Sequence, residues 1–267
     1  MVSKTVGCVV QLFFLFLTLS PVSGQGSDDP RKAAKDLKTV EKLASEGFAP
    51  AQYLLGIFYA KGYGLQQDLA ESVRWYRKSA EQGHAPAQYL LGSMFQEGKG
   101  VQQDVAEAAR WYRKAAEQGD AFAQNNLGTM YFEGSGVQRD AKEAVWWYRK
   151  AAEQGNAAAQ LGLGLIYEGD EGVQADTAEA ARWYRKAAEQ GNANAQGHLG
   201  LHYAGGKGVP LDYVQAHMWL SLATLGSTGN DQKKYAIGRD LTAKKMTKKQ
   251  IAEAQRLARE WTPPSGK

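Results

Sequence analysis

HAPAQYLLGSMFQEGKGVQQDVAEAARWYRKAAEQG, residues 84–119, is one of four blocks of 36 residues that follow one another without a gap in almost unchanged register. The blocks are 48–83, 84–119, 120–155 and 156–191; a fifth begins at Asn192 and drifts after Trp219. In the first half of the block Ala87, Leu91 and Phe95 fall four apart, which places them on one stripe of a helix. Pro86 sits in the first turn, where a missing N–H costs nothing. Gly98-Lys99-Gly100 then ends the helix and turns the chain.

The second half opens on Asp104 with Glu107 three residues on, the arrangement of a capping box. It recurs as Asp68/Glu71, Asp140/Glu143, Asp176/Glu179 and, with glutamine, Asp212/Gln215. Ala108, Trp111, Tyr112, Ala115 and Ala116 line one apolar face, and Gly119 is free to take the left-handed conformation after the helix. Each block therefore reads as helix, turn, helix, turn. One such unit cannot bury its own apolar face and must stack on its neighbours, so the expected fold is an all-α solenoid of about five repeats with capping helices. Glycine recurs mid-helix at 56, 92, 128, 164 and 200, although it costs roughly 1 kcal/mol against alanine there. That column predicts close approach by a large Trp or Tyr of the second helix.

Before the repeats, Lys4 precedes an apolar run from Val6 to Leu19, followed by Pro21 and Val22-Ser23-Gly24. This order predicts a secretory signal over 1–24, cleaved after Gly24, and places the protein outside the cytoplasm, secreted or periplasmic. The run is short of the ~20 residues of a membrane span; the alternative is an uncleaved signal that tethers the chain. The single cysteine, Cys8, lies in that signal, so the mature chain has no thiol for disulfide, metal or catalysis. Residues 25–34 read as a polar leader, 35–47 as a truncated repeat that caps the array, 228–262 as C-terminal capping helices and 263–267 as a tail. The formal net charge is +4, with acidic and basic residues interleaved, which excludes a nucleic-acid-binding block.

The pattern A-x-A-Q-x-x-L-G-x-x-Y, then G-x-G-V-x-x-D, then W-Y-R-K-A-A-E-Q-G resembles the Sel-one-like repeat, a branch of the tetratricopeptide-like solenoids. The resemblance implies a right-handed array whose first helices line a concave side, and roles as adaptor or scaffold for protein partners. On that side the columns Tyr53, Tyr89, Asn125 and Ile57, Ser93, Thr129 change from copy to copy while Gln and Leu beside them repeat. They are the candidate contacts for a protein or peptide. Trp146 is a second candidate, because its column otherwise holds Arg74, Arg110 and Arg182 on a polar face; its alternative is a ring lying on the Lys150 stem.

Three of the four histidines, His198, His202 and His217, crowd the fifth repeat. They are weak candidates for a metal, since no recognised ligand motif joins them and His202 occupies a column of Phe58, Met94, Met130 and Ile166. No serine elbow, phosphate loop or other catalytic motif is present, so neither enzyme activity nor a cofactor is expected. Cysteine-rich relatives reported as hydrolases carry a cysteine pair per repeat that this chain lacks. A carbohydrate module that stacks sugars on Tyr53 and Tyr89 is the other alternative.

Overall fold

The computed structural model describes residues 30–169 and 172–263. The expected signal 1–24, with Cys8, lies outside the described residues. Those residues form thirteen helices and no β-strand. They are α1 (Pro30–Ser45), α2 (Ala49–Lys61), α3 (Leu69–Glu81), α4 (Ala85–Glu97), α5 (Val105–Glu117), α6 (Ala121–Glu133), α7 (Ala141–Glu153), α8 (Ala157–Tyr167), α9 (Thr177–Glu189), α10 (Ala193–Gly205), α11 (Tyr213–Gly226), α12 (Gly229–Ala243) and α13 (Lys248–Glu260). Helix α1 starts inside the segment expected as leader, because Pro30 suits a first helical position and Arg31, Lys32, Ala33 and Ala34 are good helix formers. From Val40 onward the chain packs as one compact unit, each helix against the next.

The first helices, α2, α4, α6, α8 and α10, alternate with the second helices α3, α5, α7, α9 and α11. Second helices begin at Asp68, Asp104, Asp140, Asp176 and Asp212, whose side chains accept from backbone N–H groups of the first turn. The reciprocal half of the expected capping box does not form at these aspartates. Their own N–H groups are taken by carbonyls of the preceding helix, as Asp104 N–H donates to Phe95 O at 3.0 Å. Glu71, Glu107 and Glu179 are thereby released to pair with Arg74, Arg110 and Arg182 at 3.0, 3.2 and 3.1 Å. Only Thr247/Gln250, ahead of α13, closes both halves among the described residues.

In the first four repeats the mid-helix glycine receives a tyrosine ring; in the fifth the expected large aromatic is absent, and Gly200 instead meets Leu220, with a Cβ there 2.7 Å from Leu220 Cγ. A Cβ at Gly92 would lie 2.8 Å from Tyr112 Cδ1, and Gly56, Gly128 and Gly164 face Tyr76, Tyr148 and Tyr184 in the same way. The left-handed Gly100 (φ 70°) meets the start of α3, with a Cβ there only 2.3 Å from the Leu69 carbonyl oxygen. Repeats are also joined by buried glutamines. Gln52, Gln88, Gln124, Gln160 and Gln196 each donate to an alanine carbonyl eight residues earlier, at the end of the preceding helix. Between one second helix and the next first helix, Arg77 lies over Phe95, Arg113 over Tyr131 and Arg185 over Tyr203, while Arg149 donates to Tyr167 Oη at 2.7 Å.

The array continues past its fifth repeat. Gln232 Nε2 donates to Thr224 O at 3.2 Å, the bond Gln196 makes 36 residues earlier to Ala188 O. Tyr235 stands 36 residues after Leu199 and turns its ring onto Gly197, where a Cβ would be 2.2 Å away. Helix α12 is therefore a sixth first helix in register. Helix α13 packs on α11, with Trp261 edge-on to Trp219 at 6.1 Å.

Candidate partner-binding surface

The side formed by second helices is electrostatically satisfied. Besides the Arg–Glu pairs, in three repeats a lysine one turn on lies over the recurring tryptophan: Lys78 over Trp75, Lys114 over Trp111 and Lys186 over Trp183, at 4.0, 4.0 and 4.1 Å. In the third repeat Lys150 shifts to the Trp146 ring at 4.0 Å. Trp146 is 48% exposed and meets Trp147 edge-on at 4.2 Å. The lysine stem and the exposed ring are therefore both present.

On the first-helix side Tyr53 and Tyr89 are half-buried. Tyr53 packs on Tyr76 at 6.0 Å and Tyr89 on Tyr112 at 5.8 Å, so part of each ring belongs to the repeat core. Burial first, and then the Asp120 carboxylate, push both phenols above their ordinary pKa. Three other expected contacts have internal partners. Ser93 donates to Glu97 at 2.8 Å, Thr129 accepts from Tyr148 Oη at 2.9 Å, and Asn125 donates to Asn126 at 3.3 Å. Ile57 is half-buried against the core of repeats one to three.

Sequence reasoning missed what surrounds the tyrosines. Each is met by an aromatic ring from the start of the next first helix: His84 for Tyr53 at 5.0 Å and Phe122 for Tyr89 at 6.0 Å. Phe122 is 64% exposed. Asp120, Asn156 and Asn192 cap α6, α8 and α10, but the same column carries Phe48 and His84, which make no side-chain cap at α2 and α4. Forgoing a cap costs a helix typically ~1 kcal/mol, so the aromatic residues at 48 and 84 are not there for helix stability. The change in that column was the available signal. Burial lowers the His84 pKa, and its Nδ1 has no hydrogen-bond partner.

The fifth-repeat histidines do not form a trio. His198 and His202 converge on Glu168 of the fourth repeat: Nε2 of His202 lies 2.7 Å from Oε1, and Nδ1 of His198 lies 3.4 Å from Oε2. His202 is 2% exposed, and its Nδ1 faces Lys207 O at 2.8 Å, so both ring nitrogens meet oxygen acceptors. Hydrogen bonds from the two rings hold the Glu168 carboxyl well below the usual carboxylate range. His217 is buried elsewhere, beside Ser221 Oγ at 3.4 Å. Among the described residues no group of three or more His, Cys, Asp or Glu is placed to hold a metal ion.

Comparison with known proteins follows the same register. The Sel1 repeat family matches residues 49–84, 85–120, 121–156, 157–192 and 193–226. A Sel1 repeat protein of Oxalobacter formigenes is 33% identical with a TM-score of 0.72, over 89% of this chain and 96% of that one. A protective antigen of uropathogenic Escherichia coli displaying an SLR fold is 31% identical with a TM-score of 0.36, over 84% of this chain and 63% of that one. A search of the curated proteins finds no match. Five consecutive matched repeats, spanning most of the sequence and closed by the packing described above, place this chain in the Sel1 repeat family.

Proposed function

We propose that the chain is an exported, non-catalytic scaffold that binds a protein or peptide partner on the first-helix surface of repeats one to three. Sel1 repeats are protein-interaction modules. The observation that carries the reading is two aromatic pairs on adjacent first helices, Tyr53 with His84 and Tyr89 with Phe122, the first of which forgoes the helix cap at position 84. An exposed Phe122 ring held by half-buried neighbours offers broad contact area with few rotors left to freeze. Export is supported by the signal pattern of 1–24, and no helix among the described residues is long and apolar enough to cross a membrane.

The test is comparative affinity capture with the purified chain and its Tyr89→Ala, Phe122→Ala and Trp146→Ala variants, followed by mass spectrometry. A partner held by the parent chain and Trp146→Ala, and lost with both first-helix variants, supports the proposal. The reverse pattern moves the function to the second-helix side.

A further inference from the structure

The first-helix side changes character along the array. The column of Ile57, Ser93 and Thr129 continues as Leu165, Leu201 and Ile237, each 36 residues after the last. Leu165 is 37% exposed and Ile237 60%. Leu241, one turn beyond Ile237, is 54% exposed on the same helix stripe. Leu201 abuts α12, where a Cβ at Gly238 would lie 3.3 Å from Leu201 Cδ2.

Leu201 packs on the core of Leu220, Ala223 and Tyr235, whereas Leu165, Ile237 and Leu241 are left open to solvent. Thr129 accepts a hydrogen bond from Tyr148 Oη at 2.9 Å, which Leu165, its replacement in the next repeat, cannot offer Tyr184. Helix α12 shows isoleucine and leucine to solvent, at Ile237 and Leu241. Its polar surroundings are of one sign. Between residues 229 and 249 seven Lys and Arg stand against two Asp, and Asp240 is already paired with Arg239 at 2.8 Å. Lys233, one turn before Ile237, and Lys244, one turn after Leu241, bracket the apolar stripe and are exposed.

We propose that Leu201, Ile237 and Leu241, with Leu165 in the next register and Lys233 and Lys244 at the edges, dock an acidic segment of a partner protein that carries aliphatic side chains. The stripe supplies the anchoring pockets and the lysines select carboxylates. A second copy of this chain is disfavoured, because a two-fold contact would set the same lysines against one another. The stripe is separate from the aromatic pairs of repeats one to three and stands or falls independently of them.

Random peptides displayed on phage are selected against the full chain and counter-selected against Ile237→Asp/Leu241→Asp, whose fold is checked by circular dichroism. Surviving sequences are expected to combine Leu or Ile with Asp or Glu. Their synthetic peptides should bind the parent chain at least roughly tenfold more tightly than the double variant. Binding should weaken with added salt and with Lys233→Glu, and be unchanged by Tyr89→Ala. The proposal is overturned if no peptide survives counter-selection, or if the survivors are basic. It is equally overturned if sedimentation shows a dimer that Ile237→Asp dissolves, or if vesicles rich in phosphatidylserine bind through the stripe while the peptides do not.

Discussion

The side-chain amide of Gln118 donates to the side-chain oxygen of Gln88 at 2.7 Å, while Gln88 donates onward to the Ala80 carbonyl at 3.0 Å. One buried glutamine thus ties the end of its own repeat to the end of the previous one, and the relay recurs at Gln52, Gln124 and Gln160. Gln88→Ala leaves a cavity and strips both groups of a partner, so it should cost about 2–3 kcal/mol. Gln118→Ala, at the more solvated end, should cost about 1 kcal/mol. Urea unfolding of the two variants measures the difference; equal costs would mean that the relay does not couple repeats.

Gly92→Ala is a test of the tyrosine pocket. Alanine is the better helix former by ~1 kcal/mol, yet its methyl would stand 2.8 Å from Tyr112 Cδ1 and 2.9 Å from Cε1. Crowding of a packed core costs about 1–3 kcal/mol, so the variant should be net destabilised. In a Tyr112→Leu background the same substitution should become neutral or stabilising, as measured by thermal unfolding in a double-mutant cycle.

What the sequence made legible follows its period. The aspartate caps recur at a fixed spacing of 36 in all five repeats and the tyrosine-facing glycines in the first four, so such a position reports the same local geometry several times. Contacts between repeats obey other spacings: 18 for Arg149–Tyr167, 8 for Gln88–Ala80 and 34 for Glu168–His202. Those offsets are set by how helices stack in three dimensions, and no local pattern encodes them. Gln88 accordingly shows in sequence only as a repeated glutamine, and is a buried bridge in the fold. Glu168 was hidden for a second reason. The fourth repeat ends its first helix early, at Tyr167, which turns a position held by Phe132 and Gln96 in earlier copies toward the histidines.

Glu168→Gln removes the carboxylate on which His198 and His202 converge. The Glu168 side chain is about a third open to solvent, so screening reduces the loss to an expected ~1–2 kcal/mol. A carboxyl held below its ordinary pKa stabilises the fold above the ordinary carboxylate range and loses that contribution only in strong acid. The variant should therefore be weaker at neutral pH and converge on the parent chain as the pH falls far below 4, by chemical denaturation at each pH.

His84→Asn restores the cap that Asn156 and Asn192 provide, by accepting from the Ala87 N–H as they do from Ala159 and Ala195. It should raise stability by up to ~1 kcal/mol. The parent histidine has a lowered folded pKa, so the unfolded chain binds the proton first as pH falls through the ordinary histidine range, and stability is lost there. Asparagine removes that contribution. The slope of stability against pH between roughly 7 and 5 should shrink, with His217, also lowered by burial, supplying the remainder.

The decisive functional comparison sets Phe122→Ala against Trp146→Arg. Phe122 is exposed and touches Tyr89, so its removal should leave unfolding within about 0.5 kcal/mol of the parent chain. Binding of the captured partner should nevertheless fall by ~1–2 kcal/mol, the scale of a hot-spot aromatic. Trp146→Arg returns its column to the residue of Arg74, Arg110 and Arg182, with Glu143 three residues earlier as the matching acid. It gives up the Lys150 stacking at 4.0 Å and gains an ion pair of comparable exposed worth, so stability should be nearly unchanged. Titration of the partner onto both variants separates the two sides of the array. A loss confined to Phe122→Ala fits first-helix binding, because the histidine and phenylalanine that frame the tyrosines occur only in the early repeats. A loss confined to Trp146→Arg would mean that the partner reads the one second helix in which the arginine column is broken.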